Sequence, residues 1–128
     1  MAVTAPVSWG ELLDKISILD IKREKLTDSA ALANVVNERT ALIAVRDQDG
    51  MLSSEARALC DDLRTVNQAL WDIEDEIRDC ERQNDFGDRF VELARSVYVT
   101  NDKRADIKRQ LNIMLRSDLV EEKSYAAY

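Results

Sequence analysis

The chain has 128 residues, of which 45% are hydrophobic and 34% charged, and its formal net charge of −7 corresponds to a pI near 4.6. This length fits one domain spanning residues 1–128, and the acidic balance disfavours nucleic acid and anionic membranes as partners, because phosphate binding needs accumulated Lys and Arg. No run approaches the roughly 20 apolar residues of a membrane span, and residues 1–7 lack the features of an export signal, so we expect a cytoplasmic protein.

The residues that usually hold metals are scarce. The chain has no histidine and only two cysteines, Cys60 and Cys80. Both fall on one predicted helix about 30 Å apart, which is beyond disulfide reach. We therefore predict two free thiols, no bound metal and no cofactor.

Helical periodicity begins near the N-terminus. Ser8 is placed to cap the amide of Glu11, while the Glu11 carboxylate reaches back in a capping box. Residues 27–29 offer cap residues without glycine or proline, so a break is predicted there, with one long kinked helix as the alternative. A second helix should follow from Ala30 to Asp47 and end before Gly50.

Two longer apolar stripes predict a helical hairpin in the second half of the chain. One helix should begin near Ser54 and continue to about Gln83, and the next should end at about Leu115. The charged residues among 55–81 are mainly acidic, and those among 101–116 are mainly basic. This difference in charge favours antiparallel pairing across the turn at Gly87. A short final helical turn is expected over residues 118–123. The predicted fold class is all-α, an antiparallel bundle of about four helices with a long C-terminal helical hairpin.

Polar side chains interrupt both stripes at one level of the predicted hairpin. Residues equidistant from the turn should face each other, which sets Asn67 near Arg104. Arginine forms charge-assisted hydrogen bonds with Asn and Glu, and a neighbouring Trp or Tyr ring can cover an apolar or sugar-like surface. The grouping is consistent with a ligand cleft or with a buried network that fixes helix register. The candidate binding residues are Asn67, Trp71, Glu74, Arg78, Tyr98, Asn101, Arg104 and Lys108.

Seven short motifs are distributed along nearly the whole chain. They are Ser8-Trp9-Gly10-Glu11-Leu12, Asp14-Lys15-Ile16, Val66-Asn67, Leu70-Trp71-Asp72-Ile73-Glu74-Asp75, Leu93-Ala94-Arg95-Ser96-Val97-Tyr98, Asn101-Asp102 and Glu121-Glu122-Lys123-Ser124-Tyr125. Together they resemble an uncharacterised family of small bacterial proteins known as a domain of unknown function. The resemblance implies a bacterial cytoplasmic domain and brings no catalytic assignment.

The function predicted from these features is a non-enzymatic binding or interaction module. Catalysis is disfavoured because the chain lacks histidine, a glycine-rich phosphate loop and a nucleophile elbow. The module would bind a small anionic or sugar-like ligand or a partner protein. No catalytic residue is assigned.

Two alternatives remain open. The first is a Mg²⁺-dependent all-α nucleotide phosphohydrolase, in which Arg104, Lys103 or Lys108 would neutralise phosphate. The carboxylates available to such a site are Glu11, Asp14, Glu74 and Asp75. The second is a structural homodimer whose bundle is completed by another copy of the chain.

Overall fold

The computed structural model describes residues 1–128 as four α-helices without any strand. Helix α1 spans Trp9–Lys25, α2 spans Ser29–Arg46, α3 spans Ser54–Arg82 and α4 spans Asp88–Met114. The all-α prediction is confirmed, and the predicted helix ends lie within about two residues of those observed. None of the four helices is both long and apolar enough to cross a lipid bilayer.

The helix starts follow the predicted caps, except that the capping box at the start of α1 forms only in part. Ser8 Oγ accepts a hydrogen bond from the Glu11 amide at 3.1 Å, and Asp28 caps α2 through the Ala31 amide at 2.9 Å. The chain between α1 and α2 is extended at Leu26, so α1 and α2 are separate helices. The capping box is wrong in its second half, because the Glu11 carboxylate binds Lys108 on α4 instead of the N-terminal backbone of its own helix.

Helix α1 is the element on which the rest of the bundle is assembled. It packs against each of the other three helices, and α3 packs against α4. Leu13 of α1 meets Ala56 and Leu63 of α3 and Leu111 of α4 in a cluster that excludes water. Full burial of one leucine stabilises the fold by roughly 2 kcal/mol, so this cluster anchors α1 to the hairpin.

The hairpin is longer than the helix that covers it. Helix α3 has 29 residues and α1 has 17, which correspond to about 43 Å and 25 Å at the rise of an α-helix. Helix α1 is hydrogen-bonded to two residues of α3, Arg64 and Asn67, and to three residues of α4, Arg104, Lys108 and Asn112. The part of the hairpin nearest its turn therefore extends past α1.

After α4 the chain reverses direction and runs back along that helix as an extended segment, residues 116–128, which we call the return segment. Arg116 adopts a left-handed conformation with φ of 53°, and the Ser117 amide donates to the Asn112 carbonyl at 2.8 Å, which closes the helix end. The predicted helical turn over residues 118–123 is wrong. The Ser117 hydroxyl donates to the Leu119 carbonyl and accepts from the Trp9 amide, so it does not cap a new helix.

Candidate functional site

Asp14 on α1 is the most deeply buried charged residue of the protein, with none of its surface exposed. Its Oδ1 atom accepts hydrogen bonds from Asn67 Nδ2 at 2.8 Å and from Arg104 Nε at 3.0 Å. The second carboxylate oxygen accepts from a terminal nitrogen of the Arg104 guanidinium, which makes the ion pair bidentate. These bonds supply the compensation that a buried carboxylate requires, and they raise the pKa of Arg104.

Lys108 on α4 extends this arrangement toward the surface. Its Nζ atom lies 2.8 Å from a Glu11 carboxylate oxygen, 2.9 Å from Glu121 and 3.8 Å from Asp14. Burial alone would lower the pKa of Lys108, but the hydrogen bonds to Glu11 and Glu121 outweigh it, and the pKa is raised. The same contact lowers the pKa of Glu121, so the lysine ties the return segment to α4 as an ion pair.

These side chains form one connected group, which we call the Asp14 network. Three carboxylates face two cations, and Asn67 also contacts the Ser17 hydroxyl at 3.3 Å. No buried side-chain nitrogen or oxygen in the protein lacks a hydrogen-bond partner. A network whose buried donors and acceptors are all paired has the properties of a register-fixing contact. Its members are Glu11, Asp14, Ser17, Asn67, Arg104, Lys108 and Glu121.

Gly10 allows α1 to approach α4 closely beside this network. Its amide donates to Asn112 Oδ1 at 2.7 Å. A Cβ atom at this position would lie 2.6 Å from the Lys108 carbonyl oxygen, which is backbone and has no freedom to rotate away. Only glycine fits between the two helices here, and this explains the Trp-Gly-Glu sequence at the start of α1.

The eight candidate residues from the sequence separate into three places. Asn67, Arg104 and Lys108 belong to the Asp14 network, and the predicted proximity of Asn67 and Arg104 is confirmed because both bind Asp14. Glu74 and Arg78 instead pair with each other at 3.0 Å on the surface of α3. The other three candidates lie outside the network, with Trp71 half-buried on α3 and with Tyr98 and Asn101 on α4.

Tyr98 and Asn101 line an open groove of about 940 Å³ between α4 and the return segment, which we call the α4 groove. The rings of Tyr98 and Tyr128 meet edge to face with their centroids 5.0 Å apart. The Tyr128 hydroxyl donates to Asp102, and this bond raises the pKa of Tyr128. The remaining lining residues are Val97, Ala105, Asp106, Lys123, Tyr125, Ala126 and Ala127.

Comparison with known proteins gives a family assignment. A family model described as a family of unknown function (DUF6165) matches residues 3–128. The chain belongs to this family. No curated protein and no solved structure matches the chain. The DUF6165 description states no activity, so the chemistry of this member has to be inferred from its own side chains.

Several residues of the Asp14 network and of the α4 groove in this DUF6165 member were not predicted from the sequence. Asp14, Glu11 and Glu121 complete the network. From the sequence, Glu11 was expected to close a capping box or bind a metal, and Asp14 to bind a metal. Tyr125 and Tyr128 were not among the candidate residues, although both line the groove. The motif Glu121-Glu122-Lys123-Ser124-Tyr125 was the available signal, because its acidic start is complementary in charge to Lys108 and Arg109 on α4.

A second cavity, of about 740 Å³, lies between α1, the end of α2 and the start of α3. None of its lining residues was a candidate from the sequence. Most of its charged groups already have partners, since Arg46 binds Asp47 and Arg64 binds Asp20 and Glu24. Burial raises the pKa of the Cys60 thiol in its wall, which disfavours the reactive thiolate form.

Three of the four carboxylates considered for a magnesium site are held by other partners. Asp14 is bonded to Arg104, Glu11 to Lys108 and Glu74 to Arg78. No group of three or more Cys, Asp or Glu residues is placed to hold a metal ion. Both cysteines are free thiols, as predicted.

Proposed function

We propose that this chain is a non-enzymatic binding module and that its ligand is a polyhydroxylated, sugar-like molecule held in the α4 groove. The observation that carries the proposal is the combination of aromatic rings with polar acceptors in one open groove. Tyr98 and Tyr128 present ring surface, and Asp102, Asp106 and Asn101 present carboxylate and amide groups. A sugar is complementary to such a groove. Its apolar C–H faces can pack against aromatic rings, and its hydroxyl groups can donate to polar acceptors.

The size and exposure of the groove fit such a ligand. Its volume of about 940 Å³ falls within the range of small-molecule sites. Tyr125 and Tyr128 are 82% and 77% exposed, so they have much surface left to bury against a ligand. Tyr98 is held more firmly, because it projects from the middle of α4.

Charge favours a neutral ligand over an anionic one. The groove carries two carboxylates, on Asp102 and Asp106, and one cation, on Lys123. The excess negative charge opposes a phosphate or carboxylate group. The cations expected to bind an anion, Arg104 and Lys108, are engaged by Asp14, Glu11 and Glu121. Of the two ligand classes expected from the sequence, anionic and sugar-like, we therefore propose the sugar-like one.

Saturation-transfer NMR with a panel of neutral mono- and disaccharides tests this function. We expect saturation of ring protons of at least one sugar, and loss of the effect in Tyr98→Ala. Phe86→Ala is the matched control, because Phe86 is an aromatic residue 50% exposed at the hairpin turn, far from the groove. Absence of transfer to every sugar, or stronger transfer to the cation choline than to any sugar, would contradict the proposal.

A further inference from the structure

The half of the hairpin nearest its turn carries an apolar face that α1 does not reach, which we call the distal face. Its residues are Leu70, Trp71, Ile77, Phe90 and Val97. All five are partly exposed, although large apolar side chains in a helical bundle are normally buried.

The same stripes are fully buried where α1 covers them. Leu63, Leu70 and Ile77 follow each other at seven-residue intervals on α3, and Leu111 and Val97 lie two such intervals apart on α4. Leu63 and Leu111 have no exposed surface, whereas Leu70, Ile77 and Val97 are only partly buried. A seven-residue apolar repeat is the pattern with which helices pack against further helices. The distal face therefore has the sequence of a packed surface but is covered only in part.

The total surface supports the same conclusion. The 14.6 kDa chain exposes 8956 Å², whereas a compact monomer of that mass exposes about 6,900 Å². Part of the excess lies in residues 1–7 and in the return segment, which have no helix. The whole excess, about 2,000 Å², is more than twice the roughly 800 Å² that each partner buries in a standard interface.

The charges at the edge of the distal face indicate which partner fits. Glu74 and Arg78 lie one helical turn apart, and in the single chain they pair only with each other while 56% and 71% of their side chains stay exposed. In a two-fold antiparallel pairing centred between them, Arg78 of one copy meets Glu74 of the other, and the reverse contact forms at the same time. The charged edge of one copy is thus complementary to the same edge of a second copy.

We infer that the distal face binds a second copy of this chain and that the two hairpins form an antiparallel four-helix arrangement. Each copy then supplies the helices that α1 is too short to provide. The interface shares only Val97 with the α4 groove. It uses none of the polar or tyrosine side chains assigned to the ligand, so this inference does not depend on the proposed ligand.

Sedimentation equilibrium of the full chain tests the inference. At about 100 μM, well above a micromolar Kd, we expect a mass twice the 14.6 kDa of one chain. Ile77→Glu should return the mass to that of one chain. Val36→Glu is the matched control, because Val36 is 48% exposed on α2, away from the distal face, and this change should leave the dimer intact.

A charge reversal at the edge keeps the test valid if Ile77→Glu fails to fold. Arg78→Glu alters an exposed side chain and should weaken dimerisation at least 10-fold, since it sets like charges opposite each other. The double change Glu74→Arg with Arg78→Glu should restore it, because two identical copies remain complementary. A wild-type chain that stays monomeric up to about 500 μM would overturn the inference, as would a dimer that both Ile77→Glu and Arg78→Glu leave unchanged.

Discussion

Arg104 on α4 holds the fully buried carboxylate of Asp14 on α1 in a bidentate ion pair. The two residues are 90 positions apart in the chain, so the pair fixes the first helix of the protein against the last. Asn67 donates to the same carboxylate from α3. One side chain of α1 is thereby bonded to both helices of the hairpin.

Removing the charge of Asp14 should destabilise the protein strongly. Asp14→Asn leaves the Arg104 guanidinium half-buried without its counter-ion, and breaking a buried pair in this way costs about 3–5 kcal/mol. Urea denaturation followed by circular dichroism measures the loss. The control Glu38→Gln removes an exposed partner of Lys15 and should change stability by no more than about 0.5 kcal/mol. Equal effects of the two substitutions would show that the Asp14 network does not stabilise the fold.

Gly10→Ala should also destabilise the protein, by about 1–3 kcal/mol, because the added methyl group collides with the Lys108 backbone carbonyl. Thermal unfolding measures the change. Gly87→Ala is the control, since a Cβ there meets only Asp85 Oδ1, at 3.5 Å. We expect it to cost less than about 1 kcal/mol, the effect of a poorer helix cap. A wild-type melting temperature for Gly10→Ala would mean that α1 does not approach α4 this closely.

Docking of the return segment should depend on pH through Glu121 and Lys108. The docked Glu121 has a pKa below its ordinary 4.5, so its contribution is present above pH 4.5 and is lost as the pH falls through the lower, docked value. The docked Lys108 has a pKa above its ordinary 10.5, so its contribution is present below pH 10.5 and is lost as the pH rises through the higher value.

Heteronuclear NOE values of residues 118–128 report this docking directly. They should stay high at neutral pH and fall under acid conditions while the helices remain folded. Glu121→Gln should lower them at neutral pH, whereas Glu122→Gln, which changes an exposed contact with Arg109, should have a smaller effect. NOE values that are already low in the wild type at pH 7 would contradict the docked arrangement.

The helices were predictable from sequence because apolar spacing and capping residues are local signals. Ser8, Asp28 and Ser53 cap α1, α2 and α3 as their positions indicate. The role of Asp14 was not predictable in the same way, since it depends on the direction in which α1 crosses the hairpin. The final helical turn was predicted wrongly because Ser117 has the chemistry of a cap but is bonded to Trp9 and Leu119.

The candidate site was predicted in part. Opposition of Asn67 and Arg104 followed from antiparallel geometry alone. Glu74 was included in the same patch because it shares a stripe with Asn67, yet α1 covers only the Asn67 end of that stripe. The groove between Tyr98 and Tyr128 required the path of the return segment, and that path is set by ion pairs with side chains on α4 rather than by any local pattern.

Chemical-shift mapping with the best sugar from the saturation-transfer panel tests the central claim, that the α4 groove binds the ligand while the Asp14 network only holds the fold together. The ¹H–¹⁵N spectrum should shift progressively at Tyr98, Asn101, Asp102 and Tyr128 as the sugar is added. Amides near Asp14 and Asn67 should stay in place. Shifts that centre on Asp14 and Asn67, or no shifts at a sugar concentration of about 20 mM, would contradict the account.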